Sequence, residues 1–96
     1  MGLQLQLETL LLHFENAIGE TDGIAEDDKQ IMAKLESLAM GWSWVIYEAE
    51  FSGDEMLFFG RVNGFASELG YFTWEEIQQV PDLKIVSHFE DFEMHM

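Results

Sequence analysis

The side chains best equipped for chemistry in this sequence are carboxylates. Nineteen Asp and Glu stand against four basic residues, Lys29, Lys34, Arg61 and Lys84, and the formal net charge is −15. Carboxylates serve as paired acid and base, as metal ligands, or as partners for cations, and each use sets its own demand on spacing. Acid catalysis needs one carboxyl of a pair in an apolar pocket. Glu48 and Glu50 share one side of an extended segment, about 6.6 Å apart by strand rise. Trp42 and Trp44 could wall such a pocket, although both are more simply core. A metal site would draw on His88, Glu90, Asp91, Glu93 and His95, which crowd the chain end and suit carboxylate–imidazole ligation of a divalent ion. A frayed acidic terminus is the simpler account of them. No metal and no cofactor is therefore assigned.

Other chemistries fail on residue type. The chain has no cysteine, which excludes disulfides, thiolate zinc sites and a Cys nucleophile, and suits a reducing compartment. Ser37, Ser43, Ser52, Ser67 and Ser87 lie outside any G-x-S-x-G elbow, and the adjacency of Ser87 and His88 implies no geometry. Gly60-Arg61-Val62-Asn63-Gly64 lacks the GK[ST] ending of a phosphate loop. No acidic ladder with a central glycine marks a calcium loop, and no basic patch marks a nucleic-acid interface. The expectation is a protein that binds rather than catalyses.

A field of this sign repels nucleic acid and anionic lipid and attracts basic surfaces. Solubility alone explains part of it. The remainder suits an array that imitates backbone phosphates, because Lys and Arg that accept phosphate also accept carboxylate. The candidate partner-binding residues are Glu8, Glu15, Glu20, Asp22, Glu26, Asp27, Asp28 and Glu36 on a helical layer, with Glu48, Glu50, Asp54 and Glu55 on a hairpin. The expected partner is a basic protein surface, with no direct contact to nucleic acid or membrane.

The elements that must position these acids follow from hydrophobic spacing. Ninety-six residues, 48% of them hydrophobic and including eight Phe, three Trp and two Tyr, suit one ordered domain over residues 1–96. Leu7, Leu10, Leu11, Phe14 and Ile18 form a helical stripe over Leu3–Ile18, with Gly19 as its stop. Ile31, Leu35, Leu38 and Ala39 predict a second helix over Ala25–Met40, ended by Gly41, with Glu26, Asp27 and Asp28 at the positive end of its dipole. Trp42–Phe51 and Met56–Val62 alternate as two strands around the turn Ser52-Gly53-Asp54-Glu55. A third strand falls near Tyr71. Thr73 and Glu76 form a capping box for a short helix that Pro81 stops, and Leu83–Val86 is a last strand. The fold class is α+β: two N-terminal helices packed on a small, mostly antiparallel sheet, with one short C-terminal helix. The N-terminus lacks a basic n-region, and no apolar run approaches the roughly 20 residues of a membrane span. A cytoplasmic location is expected.

The stretch GWSWVIYEAEFSGDEMLFFGRVNGFASELGYFTWEEI, continuing to LKIVSHFED, resembles a family of small proteins of unknown function carried by phages, plasmids and integrated elements. Its signature is a TWLLTE-like strand, an acidic turn, an ILFG strand and an ELGY segment followed by S/T-x-x-E-L/I. The matching residues are Trp44–Glu48, Leu57–Gly60, Gly64, Glu68-Leu69-Gly70-Tyr71, Thr73 and Glu76-Ile77, so the resemblance covers roughly residues 42–91. Phe65-Ala66-Ser67 departs from it where the family carries a proline, and the N-terminal segment has no counterpart. The resemblance implies no chemistry. It implies a mobile-element setting, in which inhibitors of host defence are frequent, and hence an anti-CRISPR or anti-restriction protein acting in the host cell. The alternative is a small accessory or structural protein of such an element. In either case Gly70 is expected to supply an unusual backbone angle, with Leu69 and Tyr71 packing the helix that Thr73 caps.

Overall fold

The computed structural model describes residues 2–91. One helix, α1 (Leu3–His13), precedes five strands: β1 (Ala33–Ser37), β2 (Trp42–Ser52), β3 (Glu55–Asn63), β4 (Ser67–Thr73) and β5 (Leu83–His88). A single-turn helix, α2 (Trp74–Ile77), joins β4 to β5. The sheet order is β4-β3-β2-β1-β5, and every pairing is antiparallel. Strands β1 to β4 form a meander, after which the chain crosses through α2 to add β5 on the far edge.

The second N-terminal helix does not form. In place of a helix over Ala25–Met40 there is one 3₁₀ turn, Glu26–Asp28, and then β1. Ala33, Leu35 and Ser37 are buried while Lys34 and Glu36 are only partly covered, which is the period of a strand. Leu38 and Ile31, assigned to a buried helical stripe, are 66% and 43% exposed. The segment is rich in good helix formers, but propensity is a weak prior. Here β1 is flanked on both sides, by β2 and β5, and the two ladders override it. Gly41, expected to end a helix, instead takes φ +72 in the tight turn between β1 and β2. Its amide reaches the Ser37 carbonyl at 2.8 Å.

The first helix stops earlier than its apolar stripe suggests. Leu7 and Leu10 are buried, and Leu11 and Phe14 pack on the core's margin. After His13 the chain turns extended, and the Asn16 carbonyl accepts a hydrogen bond from the Ala49 amide of β2. Phe14 is retained by the Phe89 ring, 5.2 Å away. The capping box of α2 is present: the Thr73 hydroxyl accepts from the Glu76 amide, and the Glu76 carboxylate accepts from the Thr73 amide.

The sheet has an inner and an outer face. Leu35, Trp44, Ile46, Ala49, Met56, Phe58 and Phe72 form the inner face, which packs with Leu7 and Leu10 of α1 and Ile77 of α2. A bulge sets which residues of β2 reach it. Ile46 pairs with Gly60 and Glu48 with Phe59, leaving Tyr47 as the extra residue. Ile46 and Ala49, three apart, therefore both reach the core. In an unbroken strand Glu48 and Glu50 would lie on the side of Trp42 and Trp44. The bulge moves them to the outer face, away from the tryptophans, so the apolar-walled carboxylate pair does not exist.

Candidate functional site

On the outer face, the segment between α1 and β1 lies across the middle strands, held there by three carboxylates. Glu48 does most. One of its oxygens accepts from the Gly19 amide at 2.7 Å, and the other accepts from the Thr21 amide at 2.9 Å and from the Thr21 hydroxyl. Lys29 donates to that hydroxyl at 2.7 Å and to the Thr21 carbonyl, which carries positive charge to the far side of the same group. Glu50 accepts from the Ile18 amide at 3.1 Å. Glu48 is 1% exposed and Thr21 is fully buried. A buried carboxylate is tolerated when each oxygen is hydrogen-bonded and a cation lies near. Burial pushes the Glu48 carboxyl up, but the Thr21 hydroxyl, the two amides and Lys29 outweigh it and hold it below the usual carboxylate range.

The third fastening is Glu26, at the 3₁₀ turn. Arg61 of β3 grips it with two parallel bonds, Nε to Oε2 at 2.5 Å and Nη2 to Oε1 at 2.6 Å, and the Tyr47 hydroxyl donates to it at 2.8 Å. Such a fork is the strong geometry for a carboxylate. The Arg61 and Tyr47 bonds bring the Glu26 carboxyl down to about 2. In turn, burial and the bond to Glu26 push the Tyr47 phenol up to about 12. Both Glu26 and Glu48 are thus held ionised and lack the proton of a general acid. The bulge brings Glu48 to the face on which Tyr47 already lies, so that the Glu26 and Glu48 fastenings share the outer face.

The acids assigned to one binding surface separate into three groups. Glu15, Glu20, Asp22, Asp27 and Asp28 are exposed along the fastened segment. Glu48 and Glu50 lie beneath it and Glu26, within it, turns onto Arg61; these three are its supports, and Glu48 is nearly inaccessible. The others sit elsewhere. Glu8 is on α1 and accepts from Gln4, Glu36 is on β1 beside Lys34 at 3.6 Å, Asp54 is in the β2–β3 turn, and Glu55 opens β3, where it accepts from the Glu75 amide. Sequence reading missed Thr21, Lys29, Tyr47 and Arg61 as the groups that anchor the acidic segment. Lys29 and Arg61 left a signal, as two of four cations in so acidic a chain. It gave no binding role to Glu68, Glu75 or Asp82, all exposed.

The tail cluster divides. His88 and Glu90 line a groove of about 450 Å³ against Gln6, Thr9 and Leu10 of α1, and Glu90 lies 3.7 Å from His13. Glu93, His95 and the Asp91 side chain fall outside the described residues. Among the described residues no three His, Asp or Glu are grouped to hold a metal. Ser87 is exposed and His88 half-buried on successive strand positions; neighbours on a strand project to opposite faces. Among the described residues, no helix is long and apolar enough to cross a membrane. Set against protein-family models, curated proteins and solved structures, the chain finds no match.

Proposed function

We propose that the protein is a non-catalytic binding protein that presents the acidic segment 15–28 to a basic, nucleic-acid-binding surface of another protein. The observation that carries this reading is the fastening. Glu15, Glu20, Asp22, Asp27 and Asp28 are exposed on a segment whose backbone and neighbours are tied to the sheet by Glu26, Glu48 and Glu50. Held in place before contact, these carboxylates lose little freedom on binding, which favours affinity. The cations nearest them do not offset the field outwardly. Lys29 is turned onto Thr21, and Arg61 is bound to Glu26 and Ser67. The resemblance to mobile-element proteins supplies the setting: the partner is a host defence complex, a CRISPR effector or a restriction enzyme, met in the host cytoplasm.

The test is competition. Labelled DNA bound to a purified CRISPR effector or restriction enzyme is titrated with the protein at low and at high salt. Displacement at low salt that weakens steeply with added salt is expected. The variant Glu20→Gln/Asp22→Asn/Asp27→Asn/Asp28→Asn, which leaves the three supporting carboxylates intact, displaces about tenfold less well or worse. Displacement insensitive to salt, or equal for the variant, overturns phosphate imitation. No displacement from either class of complex favours an accessory protein whose acidity serves solubility.

A further inference from the structure

The Glu68-Leu69-Gly70-Tyr71 segment was expected to be scaffold, and the fold does not use it that way. It lies on β4, at the edge of the sheet. Leu69 and Tyr71 are 43% and 64% exposed. Gly70 has no positive φ, and a side-chain carbon added to it would meet nothing within 4 Å. The segment therefore has three side-chain positions that pack no core, on a strand whose outer row of backbone groups faces no other described strand.

The two edges of the sheet are built differently. β5 follows Pro81 and the left-handed Asp82, carries Lys84, and pairs with β1 through a register shift. Proline, lysine and bulges are the devices that keep an edge from pairing with another chain. β4 has no proline, lysine or bulge, and its one charged side chain, Glu68, opposes an acidic strand but not a basic one. It pairs with β3 in unbroken register from Leu57–Thr73 to Asn63–Ser67. Its outer-face side chains continue an apolar strip, with the Tyr71 ring 5.1 Å from Phe59.

We propose that β4 is a docking edge that takes up an extended, basic segment of a partner protein as a sixth strand. Backbone pairing supplies the affinity and alternate side chains the selectivity. On one side of the incoming strand a Lys or Arg opposes Glu68, and a long side chain finds open space over Gly70. On the other side apolar residues cover Leu69 and Tyr71. The basic character is argued from charge: Glu68 lies on the strand, Glu75 and Glu76 follow it, and the chain carries a net −15. The same charge disfavours pairing with a second copy. The inference rests on the basic partner proposed above but places it on a different surface.

The probe is an eight-residue peptide of alternating Lys and Val, capped at both ends, with a counterpart N-methylated on alternate residues to block pairing along one edge. Titration calorimetry with the wild-type chain is expected to show binding of the plain peptide and binding about tenfold weaker for the methylated one. Amide exchange at residues 68–71 slows only with the plain peptide. The variant Leu69→Lys/Tyr71→Lys, altered at exposed positions, is expected to melt with the wild type and bind about tenfold more weakly. Equal binding of the two peptides, or no binding of either, overturns the docking edge. So does a wild-type dimer that the double variant dissolves, which would assign the edge to a second copy. Binding of the plain peptide by the variant with Glu20, Asp22, Asp27 and Asp28 neutralised supports the edge even where the acidic-segment reading fails.

Discussion

Glu48 shows how one residue changes meaning between sequence and fold. In a chain this acidic it reads as one more solvated charge, yet it is nearly inaccessible and its oxygens accept from Gly19 and Thr21. Replacing one oxygen with an amide nitrogen, as in Glu48→Gln, sets a donor against donors and removes the charge that Lys29 answers through Thr21. Hydrogen bonds to a charged group contribute about 1.5–3 kcal/mol each in net stability. The variant is expected to lose about 2 kcal/mol, a fall in Tm of roughly 10 °C for a domain of this size. Hydrogen exchange at the Gly19 and Thr21 amides should rise more than exchange in β2 and β3, since the loss is local to the fastened segment. A melt and an exchange pattern like those of the wild type would show that the segment is held by something other than this carboxylate.

At the scale of elements, the β2–β3 hairpin bends where Tyr47 is inserted, and Gly60 stands opposite. A side-chain carbon on Gly60 would lie 1.8 Å from the Val45 carbonyl oxygen and 2.8 Å from its carbon, both backbone. Backbone held in a ladder does not yield cheaply, so Gly60→Ala is expected to cost about 2–3 kcal/mol or more. Gly70, its cross-strand partner, has open space around it; Gly70→Ala is expected to be neutral or slightly stabilising. Denaturant melts of the two variants separate these outcomes, and equal costs would remove the bulge as the reason for Gly60. The hairpin itself was legible, because aromatic and β-branched residues alternate on either side of an acidic glycine turn, and the Thr73 capping box and final strand were legible for equally local reasons. The bulge was not, since nothing in Ile46-Tyr47-Glu48 departs from strand composition, and with it went the side on which Glu48 and Glu50 lie. β1 was misread because Ile31, Leu35 and Leu38 satisfy a helical repeat while Ala33, Leu35 and Ser37 satisfy a strand. Neighbouring strands decide between the two, and their positions are not written locally.

For the whole molecule, composition states how much charge there is, and the fold decides how much of it is answered internally. Among the described residues Glu26 meets Arg61, Glu36 meets Lys34 and Glu48 meets Lys29 through Thr21. Glu15, Glu20, Asp22, Asp27, Asp28 and Asp54 are among the acids that remain exposed. Repulsion among such groups works against the compact state. It is long-ranged, so salt weakens it: the Debye length falls from about 30 Å at 0.01 M to about 3 Å at 1 M. The Glu26–Arg61 fork, with its atoms in direct contact, is screened much less. Adding sodium chloride over that range is therefore expected to raise the melting temperature by about 4–8 °C, the equivalent of about 1 kcal/mol in a domain this small. Neutralising Glu20, Asp22, Asp27 and Asp28 should raise the low-salt melting temperature and shrink the response to salt. A melting temperature that falls with salt would reverse the account, making attraction within the ion pairs, and not repulsion among the exposed acids, the larger electrostatic contribution to stability. The displayed carboxylates would then carry no stored repulsion for a basic partner to relieve.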